Sequence, residues 1–110
     1  MASSFPYSGD EALRRPIEAA LAGVIDPEMA LDIVSLGLIY GVDATRDRVK
    51  VLLTMTSAAC PVAELIVDDI EHALREALGE DAAVDVEMCW DPPWGPERMS
   101  AAARAAMGWE

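Results

Sequence analysis

Cys60 stands between a run that ends in hydroxyls, Leu53-Thr54-Met55-Thr56-Ser57, and Pro61, where a helical pattern begins. Proline is favoured at the first helical position, because its missing N–H would be unpaired there anyway, so Cys60 is expected at the N-cap. A sulfur in that position faces unpaired backbone N–H groups and the positive end of the helix dipole, both of which favour thiolate over thiol. Thiolate is the form that ligates metal or attacks electrophiles. The alternative is a small buried core cysteine, since free cysteine is among the most buried residue types. One cysteine cannot hold a metal cluster alone, because clusters usually take four ligands, so a second protomer or further ligands from the same chain must complete the set.

Other side chains offer weaker chemistry. Thr54, Thr56 and Ser57 are hydroxyl donors that could bond a ligand or a cluster sulfide, although strand propensity and local capping also account for them. Asp26, Glu28 and Asp32 form an acidic patch suited to a hard metal ion or to a paired acid and base. With 20 acidic residues in the chain, solvated turn residues are the plainer account of that patch. Cys89 falls on the polar face of its strand by alternation, and nothing in the sequence sets its distance from Cys60. His72, the only histidine, lies at helical spacing from Asp68, Asp69 and Glu76 and reads as a surface residue; no Cys-His cluster with zinc spacing exists. The stiff corner Trp90-Asp91-Pro92-Pro93-Trp94 reads equally as a docking point for a partner and as a plug over the core edge. There is no phosphate-cradling glycine loop, no Gly-x-Ser-x-Gly elbow and no zinc-protease motif.

The elements that position these residues follow from periodicity. Residues 1–9 read as a flexible arm and residues 10–110 as one domain. Leu13, Ile17, Ala20, Leu21 and Val24 make one apolar helical face, with the helix starting close to Arg15 because Pro16 disfavours an interior position. The stretch from Asp26 to Gly37, opened by an Asp-Pro turn signal, reads as an ordered loop. Leu38, Tyr40, Val42 and Ala44 alternate with Ile39, Gly41, Asp43 and Thr45 as a first strand. A turn at Arg46-Asp47 leads to a second, antiparallel strand with Val49, Val51, Leu53 and Met55 facing the core and Lys50, Leu52, Thr54 and Thr56 facing away. The strongest helix spans Val62 to Leu78, with Ile66, Ile70, Ala73, Leu74 and Ala77 on one side and Gly79 as its stop. Val84, Val86 and Met88 mark a third strand, and Ser100 caps a last short helix closed by Gly108. The expected fold is therefore α/β of the α+β type, a small mixed three-stranded sheet packed against helices.

Composition bounds the function. At 110 residues and 53% hydrophobic, the chain can bury a core without disulfides or structural metal. A formal net charge of -12, with Lys50 as the only lysine, argues against binding to a phosphate backbone and would repel an anionic membrane surface. No stretch approaches the ~18 apolar residues that a membrane span needs. The first ten residues lack the basic start and apolar core of a secretion signal, so a cytoplasmic protein is expected, with its 2 cysteines as free thiols or metal ligands.

Taken in order, Asp26-Pro27-Glu28, Asp32 to Tyr40, Met55-Thr56-Ser57 through Cys60-Pro61-Val62-Ala63, and Trp90 to Trp94 with Met99-Ser100 resemble the SufT and PaaD-like family of small iron-sulfur assembly domains. The resemblance runs from Ile17 to Gly108, and the tryptophan-proline corner is closer to the SufT-type branch. It implies an iron-sulfur assembly domain in which Cys60 is the reactive cysteine, Thr56 and Ser57 its hydroxyl pair, and Asp26 and Glu28 the acidic loop pair. Cys89 matches no family motif. The expected function is to bind or escort an iron-sulfur cluster transiently, by ligand exchange through Cys60 across a homodimer, with scaffold or acceptor proteins as partners and Trp90 and Trp94 as contacts. Two further readings stand beside it: a metal-free adaptor working through the Trp90 to Trp94 corner, and a thiol enzyme with Cys60 as nucleophile and Glu28 or Asp26 as base.

Overall fold

A computed structural model describes residues 5–27, 30–55, 63–91 and 93–108. The elements in chain order are β1 (Tyr7–Gly9), α1 (Glu11–Ala22), β2 (Ile25–Asp26), β3 (Leu31–Asp32), β4 (Ile39–Ala44), β5 (Arg48–Leu53), α2 (Ala63–Leu78), β6 (Ala83–Met88), a 3-10 turn (Pro96–Arg98) and α3 (Ala101–Met107). The expected mixed sheet is present with a fourth strand, in the order β1-β4-β5-β6, and β2 and β3 form a separate two-stranded ladder. β1 is the addition: it pairs parallel to β4 from Tyr7↔Val42 to Gly9↔Ala44.

Helix α1 begins earlier than Pro16 alone predicts. Asp10 is its N-cap, the carboxylate accepting the Ala12 N–H at 2.9 Å, and the helix runs on through Pro16. Proline withholds one N–H from the carbonyl four residues back, here that of Ala12, which is exposed and open to water. Ile17 and Leu21 are fully buried against α2, whose Ile66, Ile70 and Leu74 are also fully buried, while Ala77 lies exposed. Each such aliphatic side chain contributes roughly 1.5–3 kcal/mol relative to leaving it in water.

The sheet supplies the opposite wall. Val49, Val51, Leu53 and Met55 are buried, as their alternation requires. In β4 the simple alternation fails, because the ladder with β5 slips between Ile39 and Gly41: Ile39 pairs with Leu53 and Gly41 with Leu52. Tyr40 is thus the extra residue of a bulge, and the bulge brings Ile39 to the core face beside Val42 and Ala44 while Tyr40 lies under the Arg98 guanidinium, 4.3 Å from its ring centroid. Thr54, expected on the outer face, is fully buried because its N–H reaches the Leu38 carbonyl at 2.8 Å, drawing the end of β5 under the preceding loop.

β5, α2 and β6 form a strand-helix-strand crossover, since β5 and β6 pair parallel from Arg48↔Ala83 to Leu53↔Met88. β4 and β5 are antiparallel. One end of the molecule therefore gathers the C-terminal ends of β5 and β6, the start of β4 and the first turn of α2. The expected short C-terminal helix is α3, capped by Ser100, whose hydroxyl accepts the Ala103 N–H at 3.0 Å, and closed by Gly108 in the left-handed region.

Candidate functional site

Of the candidate residues that the structure describes, Thr54 and Cys89 lie at that gathered end. Met55 and Ala63, which flank the segment 56–62, both belong to it; Thr56, Ser57 and Cys60 themselves, like Glu28, lie outside the described residues. Thr54 occupies the junction. Its backbone bonds Leu38 on one side, and the next strand over ends beside it, where the Cys89 N–H reaches the Leu53 carbonyl at 2.7 Å. Its hydroxyl oxygen is buried and finds no hydrogen-bond partner among the described residues.

A buried hydroxyl without a partner carries a desolvation cost that valine, of the same shape, does not. Thr54→Val is accordingly expected to raise stability by about 1 kcal/mol, read as a higher urea midpoint with unchanged slope. A lower midpoint would show that the hydroxyl is bonded in solution.

Asp26 is only 2% exposed, so it is not the solvated turn residue that acidic composition favours. It lies in β2, pairs in register with Leu31, and its carbonyl accepts the Ala30 N–H at 2.8 Å across the turn. Asp32 serves the backbone differently, its carboxylate accepting the Ser35 N–H at 2.9 Å and shaping the turn that precedes Leu38. The β2–β3 ladder and Thr54 are linked through the backbone, since Leu38 bonds Ile33 at 3.0 Å and Thr54 bonds Leu38. Among the described residues no three His, Cys, Asp or Glu side chains form a cluster able to hold a metal ion.

Cys89 sits at the same end of the sheet, half-buried, its thiol donating to the Asp91 carbonyl at 3.3 Å. His72 lies on the solvent side of α2, 3.4 Å from Glu76, as expected. The chain belongs to the iron-sulfur cluster assembly protein family. The family model matches residues 14–87, a span that covers both acidic turns, the segment carrying Cys60, and all but the last residue of β6. The chain is 43% identical over 100 residues to the Fe-S protein maturation auxiliary factor YitW of Bacillus subtilis, covering 90% of this chain and 97% of that one. It is 41% identical over 86 residues to the Fe-S protein maturation auxiliary factor SufT of Staphylococcus aureus, covering 77% and 97% respectively. The fold agrees with a crystal structure of a domain of unknown function from Bacillus anthracis at TM-score 0.83 and 42% identity, over 91% of this chain and 95% of the other.

Within this iron-sulfur assembly fold the two tryptophans of the proline corner part company. Trp94 is half-buried and its indole N–H donates to the Leu36 carbonyl at 2.7 Å, tying the chain after β6 to the turn before β4. Trp90 is 47% exposed. Trp94→Phe is expected to cost about 1–2 kcal/mol in urea denaturation, because it leaves the carbonyl of buried Leu36 unpaired, whereas Trp90→Phe should leave the midpoint in place. The separate roles of the two rings are not readable from the sequence, where both belong to one proline-rich run. No described helix is long and apolar enough to cross a membrane.

Proposed function

We propose that the chain is a cytoplasmic iron-sulfur maturation factor whose Cys60 thiolate takes iron or a cluster transiently, as cargo, across a homodimer and yields it to an acceptor by ligand exchange. Scaffold proteins would supply the cargo and apo iron-sulfur proteins would receive it. Thr56 and Ser57 bond groups next to the sulfur, while Asp26 and Glu28 position the metal or the partner. Trp90 offers an exposed aromatic contact. The observation that carries this reading is membership of the assembly family over a span that includes Cys60. The relatives bear names of maturation factors, and transfer of this kind requires no turnover of a substrate, which supports an assembly factor rather than an enzyme.

The test is anaerobic reconstitution with iron and sulfide, followed by ultraviolet-visible spectroscopy and iron and sulfide analysis, on the native chain and on Cys60→Ala. Visible cluster absorption in the native protein and its loss in the variant are expected. Absorption that survives in Cys60→Ala would remove the cysteine from the ligand set. A native protein that holds no iron would overturn the carrier reading in favour of a metal-free adaptor working through Trp90.

A further inference from the structure

β6 ends the sheet, and its outer edge is open among the described residues. Its ladder with β5 is regular over all 6 residues, without a bulge or proline. The Cys89 N–H points inward to Leu53, and backbone groups alternate along a strand, so Asp85 and Glu87 also bond inward. The N–H and C=O groups of Val84, Val86 and Met88 consequently face outward. A strand edge of this kind is a template for a further strand.

What could pair there is decided by the two faces beside the edge. On the helix side Ala63 and Val67 of α2 and Met88 line a shallow groove of ≈ 260 Å³, rimmed by Glu64 and Asp68. Neither of those two carboxylates is in an ion pair among the described residues. On the other face Asp85 and Glu87 are exposed, with Lys50 3.5 Å from Glu87 as their nearby cation. An added strand alternates its side chains between the same two faces. Its apolar residues would enter the groove and the intervening ones would meet carboxylates.

A second copy of this chain is a poor occupant. In an antiparallel pair of identical strands, directly opposite residues share a face, so the central registers set Asp85 against Asp85 or against Glu87. Like charges directly opposite are destabilising. We propose that the β6 edge docks an extended segment of a partner protein in which aliphatic residues alternate with lysine or arginine. The net charge of -12 would attract such a segment from a distance. This inference does not depend on any role of Cys60.

The probe is a fluorescein-labelled hexapeptide alternating valine with lysine, with blocked termini, titrated with the native chain at low salt and followed by anisotropy. Saturable binding is expected, together with slowed hydrogen exchange of the Val84, Val86 and Met88 amides. The same peptide with alternate backbone amides N-methylated, on the side that faces β6, should not bind. The exposed double variant Asp85→Lys/Glu87→Lys should weaken binding by at least about tenfold. Equal binding of the N-methylated peptide would reduce the effect to bulk charge and overturn the proposal. It would equally be overturned by no saturable binding, by unchanged affinity in the double variant, or by self-association of the native chain that protects these three amides.

Discussion

Cys60→Ser is expected to reduce cluster transfer to an apo acceptor protein to the rate seen without the factor, while the far-ultraviolet circular dichroism and urea midpoint stay close to native. The substitution exchanges one atom and keeps the side-chain volume, so the fold has little reason to respond. Chemically the exchange is severe. A thiolate is a soft ligand, and the N-cap position expected from the sequence would favour it, whereas a serine hydroxyl remains protonated at neutral pH and suits iron-sulfur cargo poorly. Loss of an outer-shell partner typically costs about 10–100-fold in metal affinity, and loss of the ligand itself should exceed that. Cys89→Ser is the matched control: its thiol already donates to the Asp91 carbonyl, and transfer should proceed at nearly the native rate. Transfer that persists in Cys60→Ser and fails in Cys89→Ser would reverse the assignment of the two cysteines.

Gly37→Ala is expected to destabilise the protein by about 3 kcal/mol or more, which for a domain of this size lowers the melting temperature by roughly 15 °C. Gly37 has φ +75, and a Cβ built there would lie 2.2 Å from the Arg98 carbonyl oxygen and 2.7 Å from its carbon. Backbone cannot swing aside as a flexible side-chain tip can. Relief would require the Pro96–Arg98 turn to lift off, loosening the Trp94–Leu36 bond and the 2.8 Å bond from the Ser100 N–H to the Ser35 carbonyl. Gly108 isolates the steric part of this effect. It has nearly the same φ, +76, with nothing within 4 Å of the added Cβ, so Gly108→Ala should cost only the left-handed backbone preference, about 1–2 kcal/mol. Equal losses from the two substitutions, measured by thermal denaturation, would show that the close approach to Arg98 is not maintained in solution.

The parts of this fold that were legible in sequence are those with local signatures. The period of α2, the alternation of β5 and β6, the Ser100 cap and the Gly108 stop each follow from residues within one turn or one ladder step. What escaped the sequence depends on distant partners. Tyr7–Gly9 is too short to show a period and becomes a strand only because β4 offers an edge. The bulge at Tyr40 is invisible in an unbroken run of alternating residues, yet it reverses the facing of Ile39. Asp10 outweighs Pro16 in setting the start of α1, since a satisfied cap gains several backbone bonds and the proline forfeits one on an exposed side. The candidate site divides in the same way. Cys60 was conspicuous by its neighbours, and the burial of Asp26 and Thr54 was not, because both are drawn inward by backbone pairing, with Leu31 and Leu38, that no local periodicity announces.

The strap formed by Trp94 and Ser100 over the turn at Ser35 and Leu36 also sets an order of events during synthesis. The turn leads directly into Leu38, which holds Thr54 and the end of β5. A nascent chain that has completed β5, α2 and β6 already has its sheet strands, but not the residues that clasp this turn. That turn is therefore clasped only once the chain has been extended beyond β6, through Trp94 to Ser100.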